Sequence, residues 1–413
     1  MDKYLTKAFV CDIEPAPQRK FKGAVVIPAY AESDYLPDTV RALAANNAEF
    51  LRDVMLLIVV NNPADGDNSK LEDNRVILEA LRRGEFELKG LSLFWIDASS
   101  PGKEISAKGG VGAARKLGMD SALKFLDWNN EPLLFCLDAD TLVEPNYIEV
   151  VFDFFRDNPG DPSAVVKFSH QLGQNASENN AIVDYELFMR YYVAALKYSG
   201  SPYAYHALGS AIVCRAEAYV RAGGMRVKNG GEDFYFLQAL RKCGVVGNVT
   251  GTCVYPSSRP SDRVPFGTGP KIREIIDGKD MTVYNPGIFD VLRVLYKFAY
   301  SASLVDFENL AENFKELFPV EITDFLCVCG FESSWRKILK NTPASLPYAR
   351  AAFDTWFDAF RTLKFMHFCE KHFLEKYPRM NALCALKKLI KNAPESAFES
   401  KSNALEWLKD TGC

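Results

Sequence analysis

Over its first 270 residues the chain alternates short, unbroken apolar runs with stretches whose apolar residues recur at helical spacing. The runs are Gly23 to Ile27, ended by Pro28; Met55 to Val60, ended by Asn61, Asn62 and Pro63; Leu91 to Ile96; and Leu133 to Leu137. Between them lie Leu36 to Leu51, residues 71–83 with Leu71, Ile77, Leu78 and Leu81 in phase, and Gly112 to Leu126. A strand that is apolar at every position has no face for water, so both faces must be covered by helices. The alternation therefore predicts an α/β fold, a doubly wound and mostly parallel sheet with helices on both faces. Ligands of such a sheet bind beyond the carboxyl ends of its strands.

Further along, Ala164 to Phe168 and Val245 to Tyr255 read as strands, and Ala207 to Cys214 is strand-like. Ala181 to Tyr198 and Asp233 to Cys243 read as helices, the second closed by Gly244. From residue 285 the pattern turns helical almost throughout, as in Phe289 to Ala302, Phe307 to Phe318 and Tyr348 to Phe373, broken between Asn341 and Pro347. The expected division is an N-terminal segment 1–19, an α/β domain 20–284 and an all-helical extension 285–413, with the last twenty residues loosely ordered. A net charge of -4 gives no electrostatic reason to expect nucleic acid as a partner. No apolar stretch approaches the roughly 18 residues that would cross a bilayer, although peripheral contact with one stays open. The ten cysteines form no CxxC pair, and Cys136 and Cys214 sit inside apolar runs, which suits a reducing cytoplasm.

Four segments could carry chemistry. The run ending at Leu137 delivers Asp138 and Asp140, which point the same way if the backbone stays extended. Two such carboxylates repel unless a cation sits with them, and Mg²⁺ or Mn²⁺ would complete its shell with phosphate oxygens. A solvated turn with Asp140 capping a following helix fits the same spacing. Lys108 to Arg115 is a glycine-rich helix opening suited to an anion such as a pyrophosphate, or a plain turn. Gly230 and Gly231 precede Glu232 and Asp233, either first-turn acids complementing the helix dipole or a carboxylate presented as a general base. Tyr255 to Gly269 is a long proline-stiffened loop carrying Arg259 and Arg263, an active-site lid or a structural loop. His170 and His206 lie beside strands and fit partly buried, satisfied histidines better than ligands; the spacing of His367 and His372 is poor for a metal.

In this order the segments resemble the inverting family 2 glycosyltransferases of GT-A fold, over residues 20–275. Val25 to Glu32 is similar to that family's first strand and nucleotide-binding turn, and Val59 to Asn62 with Asp65 to its second strand end. Asp138, Ala139 and Asp140 have the form of its DxD metal motif, and Lys108 to Arg115 that of its basic helix start. Leu208 to Ile212 with Gly223 to Met225 resembles the acceptor-side strand and turn, and Glu232 with Asp233 the ED pair. No QxxRW-type motif follows, which argues against a processive synthase.

The resemblance implies metal-dependent, inverting transfer of a sugar, a hexosyl group by expectation, from a UDP- or GDP-linked donor to a hydroxyl acceptor. It implies donor contacts at Pro28, Ala29, Tyr30, Glu32, Asn61, Asp65, Lys108, Arg115 and Asp138, and Mn²⁺ or Mg²⁺ held by Asp138 and Asp140. Asp233 would be the base, and Gly209, Ser210, Glu232, Arg259 and Arg263 would meet acceptor or phosphate. The competing readings are a sugar-nucleotide pyrophosphorylase, a non-catalytic GT-A-like binding module, and a partner-binding scaffold in residues 285–413. Pro28 to Ala31 lacks the glycine-rich loop that the first of these requires.

Overall fold

A computed structural model of the chain describes residues 4, 6–63, 66–105, 110–227, 230–260 and 267–412. They form two compact units, Met1–Ile182 with Ala207–Asp277, and Val183–His206 with Gly278–Cys413. The elements of the first run β1 (Gly23–Ala29), α1 (Leu36–Ala44), α2 (Ala48–Leu51), β2 (Val54–Asn61), α3 (Asn68–Arg82), β3 (Ser92–Ala98), α4 (Gly110–Ala122), β4 (Leu133–Cys136), β5 (Leu142–Val143), α5 (Tyr147–Asp157) and β6 (Ser163–Phe168). After α6 (Ala176–Ser199), which from Val183 onward belongs to the second unit, come β7 (Ile212–Arg215), α7 (Ala216–Arg221), α8 (Glu232–Arg241), β8 (Val246–Tyr255) and α9 (Thr268–Ile276).

The eight strands make one sheet in the order β3-β2-β1-β4-β7-β6-β8-β5. Its first half is parallel, β1 lying between β2 and β4 with β3 outside β2. The second half departs from the expected parallel arrangement. β7 runs antiparallel to both β4 and β6, β5 runs antiparallel to β8, and β6 pairs in parallel with β8. Apolar runs reveal burial but not strand direction, so the sheet is mixed where periodicity alone could not distinguish the two. Both faces are covered, as expected. A Cβ on Gly118 of α4 would lie 2.4 Å from a Val26 methyl on one face; one on Gly23 would lie 3.2 Å from Phe152 of α5 on the other.

Three boundaries differ from the sequence reading for local reasons. Leu36 to Leu51 is two helices because Asn47 turns the chain and caps the second, its side chain accepting from Glu49 N (3.0 Å). The strand expected from Ala207 begins only at Ile212, after a 3-10 turn at Gly209–Ala211. The loop expected to reach Gly269 ends at α9, which starts at Thr268.

The second unit holds α10 (Pro286–Ser301), α11 (Leu304–Leu317), α12 (Val320–Val328), α13 (Phe331–Lys340), α14 (Leu346–Trp356), α15 (Ala359–His372), α16 (Ala382–Leu389) and α17 (Lys401–Asp410). It is not wholly helical, since β9 (Thr282–Val283) pairs antiparallel with β10 (Met380–Asn381). Tyr348 to Phe373 is broken where Asp358 caps α15, accepting from Arg361 N (3.1 Å). Its core is aromatic: Phe331 packs on Trp335 and Trp356, and Trp335 Nε1 donates to Phe307 O (2.8 Å). Near the end of the described residues, α17 is packed rather than loose: Leu405 and Leu408 are buried and Ser400 caps the helix. Among the described residues no helix is long and apolar enough to cross a membrane.

Candidate active site

The carboxyl ends of β1, β2 and β4 carry Pro28, Ala29, Tyr30, Glu32, Asn61, Asp138 and Asp140. β4 stops at Cys136, and Ala139 and Asp140 form a turn that leads into β5 rather than a helix. Asp140 therefore caps nothing, and the extended backbone that would have aligned Asp138 with Asp140 is absent. The two carboxylates go to different arginines.

Asp138 turns toward Arg115 of α4, whose Nη2 donates to its Oδ1; Ser210 Oγ donates to its other oxygen (2.6 Å), and Thr141 Oγ1 donates to Ser210 (3.1 Å). The same guanidinium donates through Nη1 to Glu232 in the first turn of α8. Arg115 and Glu232 are 3% and 4% exposed, so a buried cation joins the end of β4 to the start of α8. Burial works against the charge on Arg115, but Asp138 and Glu232 outweigh it and hold its pKa above the ordinary value. Gly209 makes room for this contact: a Cβ there would lie 2.4 Å from Nη2. Arg115, Glu232 and Gly209 meet in this tie, and Ser210 is its lateral brace.

Asp233 follows Glu232 and is only partly enclosed, one carboxyl oxygen accepting from Phe234 N (2.7 Å). Burial, and then the negative charge of Glu232, push its pKa up to about 7, against the pull of Arg115. Desolvation and a like charge both favour the proton, so this carboxyl titrates where a general base is useful. Beneath β4 the Cys136 thiol is pushed up to about 12 by burial and stays protonated, a small apolar filler as its sequence context predicts.

Asp140 Oδ2 accepts from Arg259 Nε (3.2 Å) and Nη2 (2.9 Å), and Glu32 accepts from the same Nη2. The guanidinium carbon lies 3.8 Å over the Tyr35 ring. Pro28 and Ala29 end β1 in buried positions, and Tyr30 is half-buried with Lys70 Nζ 5.8 Å from its ring centre. Asn61 ends β2, 5% exposed, and among the described residues its Oδ1 has no hydrogen-bond partner, an unmet acceptor at a strand end. Asp65, Lys108 and Arg263 lie outside the described residues.

Three residues at the site carry no expectation from the sequence. Asn74 of α3, fully buried, donates to Asn61 O (3.0 Å), Asn62 Oδ1 (3.3 Å) and Ser99 Oγ (3.1 Å) and accepts from Ala31 N (2.9 Å). It holds Ala31 at φ 55°, a left-handed conformation that costs a non-glycine residue energy. A signal for it existed, because a polar residue in phase with Leu71, Leu78 and Leu81 points into a core. Gln171, whose Nε2 donates to Asp140 O (2.9 Å) and Tyr255 O (2.7 Å), and Tyr35 beneath Arg259 left no such signal.

Among the described residues no three His, Cys, Asp or Glu side chains form a ready-made metal cluster. The donors present are hard carboxylate oxygens. They suit Mg²⁺ or Mn²⁺ in the manner of ions that take one or two carboxylates and finish their shell with phosphate and water. A positive group already stands at Asp140 and Glu32, namely Arg259, so the position accepts a cation.

The chain matches no protein-family model and no curated protein. Solved structures similar to it include S. aureus TarS 1-349 in complex with UDP-GlcNAc, 14% identical over 87% of this chain and 93% of that one, TM-score 0.41. The same protein in complex with UDP is 13% identical over the same shares, TM-score 0.39. Mannosyltransferase PcManGT from Pyrobaculum calidifontis, in complex with GDP-Man and Mn²⁺, is 12% identical over 87% and 93%, TM-score 0.36.

Proposed function

We propose that the protein is a glycosyltransferase, family 2-like and inverting, that moves a hexosyl group from a UDP- or GDP-linked sugar to an acceptor hydroxyl. The chemistry is assigned to the region 20–284. One observation carries the reading: Arg115 ties Asp138 to Glu232, which brings the carboxylate turn after β4 beside Asp233, a carboxyl poised near neutral pH. A binding module has no need of a base tuned this way.

In the mechanism, the donor lies across the ends of β1, β2 and β4, with Pro28, Ala29, Tyr30 and Asn61 around the nucleoside. Asp65 and Lys108 are assigned to the donor as well. Asp138 and Asp140 would hold Mn²⁺ or Mg²⁺ with the diphosphate, and the ion's Lewis acidity offsets charge growing on the leaving group. Arg259 adds positive charge on that side, Arg263 is assigned to phosphate as well, and Arg115 keeps Asp138 and Glu232 in place. Asp233 accepts the proton of the acceptor hydroxyl as its oxygen attacks the anomeric carbon from the face opposite the leaving diphosphate. The glycosidic bond to the diphosphate breaks as the new one forms, and the configuration inverts. A positioned base supplies roughly 10²–10⁴-fold.

The test is a panel of nucleoside diphosphates and their sugars, with and without Mn²⁺, read by thermal shift and by release of free diphosphate. The reading expects UDP or GDP to stabilise the protein more with Mn²⁺ than without. It expects Asp233→Asn to keep donor binding while losing more than nine tenths of turnover. Stabilisation by no diphosphate, or full turnover in Asp233→Asn, would overturn it.

A further inference from the structure

Glu32 and Asp140 come from the turns after β1 and β4 and are brought face to face, their side chains 8% and 17% exposed. Two carboxylates so placed repel each other unless a cation stands between them. That cation is Arg259: Nη2 reaches Glu32 at 2.5 Å and Asp140 at 2.9 Å, and Nε reaches the same Asp140 oxygen at 3.2 Å. Its plane rests on the Tyr35 ring, so the guanidinium has a platform as well as partners. The residues around it, Pro256 to Pro260, belong to no helix or strand, and an arginine carries its charge at the end of a long apolar stem.

We propose that Arg259 is an exchangeable counter-cation. With no donor present it neutralises Glu32 and Asp140. When a divalent ion arrives with the donor's diphosphate, Asp140 turns from Arg259 to join Asp138 on the ion, Glu32 faces the same positive charge, and the guanidinium moves onto the phosphate oxygens. This deepens the sugar-nucleotide reading and rests on it. The charges balance at each stage, since the carboxylates always face a cation and the released guanidinium always faces an anion. A free divalent ion, by contrast, would have to expel Arg259 with nowhere for its charge to go. Metal and diphosphate should therefore bind as a coupled pair, each raising the affinity for the other by the same factor. Bidentate recognition of phosphate is chemistry an arginine fork does well and a lysine does less well.

The experiment titrates Mn²⁺ into the full-length protein, following free Mn²⁺ by electron paramagnetic resonance, alone and with saturating UDP or GDP. Wild type should bind Mn²⁺ at least tenfold more tightly with the preferred diphosphate than without. Arg259→Gln should bind Mn²⁺ alone at least tenfold more tightly than wild type and should lose most of the diphosphate enhancement. Arg259→Lys, which keeps the charge and loses the fork, should fall between the two, and circular dichroism checks that both variants fold. If the diphosphate enhancement exists but Arg259→Gln and Arg259→Lys bind Mn²⁺ alone as wild type does, the exchange is wrong and the sugar-nucleotide reading survives. If wild type binds neither UDP nor GDP, with or without Mn²⁺, both fall together.

Discussion

Removing the Arg115 guanidinium tests the tie between the two halves of the site. Arg115→Met keeps the length and apolar stem of the side chain but leaves Glu232, 4% exposed, facing Asp138 with no cation between them. Breaking a buried pair by removing one partner costs about 3–5 kcal/mol, because the remaining charge is still desolvated. Against a total stability of about 5–15 kcal/mol that is a large fraction, so the variant should unfold at markedly lower urea. Adding Glu232→Gln removes the stranded charge. The double variant should then recover part of the loss, giving a coupling of about 1–3 kcal/mol in a double-mutant cycle. The assay is equilibrium urea unfolding of the four proteins at pH 8, followed by tryptophan fluorescence and circular dichroism. Coincident transitions would permit free energies; otherwise the transition that moves is compared by its midpoint. A loss under about 1 kcal/mol for Arg115→Met, or strictly additive single changes, would refute the idea that a buried ion network holds β4 to α8.

The raised pKa of Asp233 makes a prediction with opposite signs for stability and activity. The native carboxyl holds its proton up to about pH 7 while the unfolded one releases it near 4, so stability should fall as pH rises across that interval and level off above it. Activity needs the ionised form, so kcat/KM should drop below about pH 7, and Asp233→Asn should flatten the stability slope; an acid limb near 4 would count against the base. Gly209→Ala puts a methyl 2.4 Å from Arg115 Nη2 and should destabilise by about 1–3 kcal/mol. Because Arg115 lowers the Asp233 pKa, displacing it should also move the acid limb of kcat/KM upward, and an unchanged limb would argue that the guanidinium tolerates the methyl. Gly118→Ala drives a methyl into Val26 and Val59 at 2.4 and 2.8 Å and should cost about 1–3 kcal/mol in thermal unfolding, with the pH profile of activity unchanged.

What was legible in the sequence, and what was not, follows from the range of the interactions concerned. The parallel half of the sheet could be read because β1, β2 and β4 are buried at every position, and burial on both faces leaves a nearly unbroken apolar run. The antiparallel insertion of β7 could not, since four residues of strand carry the same apolar signature whichever way they run. Strand ends marked Asp138 and Asp140 as candidates, but the same-side geometry assumed that the strand continued past Cys136, and it does not. Charge partners are tertiary facts: nothing local to Arg115 names Glu232, and nothing local to Arg259 names Glu32. Glycines illustrate the point from the other side. Gly209 reads in sequence as part of an acceptor turn, whereas in the fold its missing Cβ is the space that the Arg115 guanidinium fills. Asp138 and Asp140, two residues apart in sequence, are each matched to an arginine, and the two arginines differ in burial. Arg115 is buried and holds Asp138 and Glu232. Arg259 is partly open and attached to an irregular segment, the setting that the proposed exchange requires. That difference in burial between the two cations is what the spacing of Asp138 and Asp140 alone could not express.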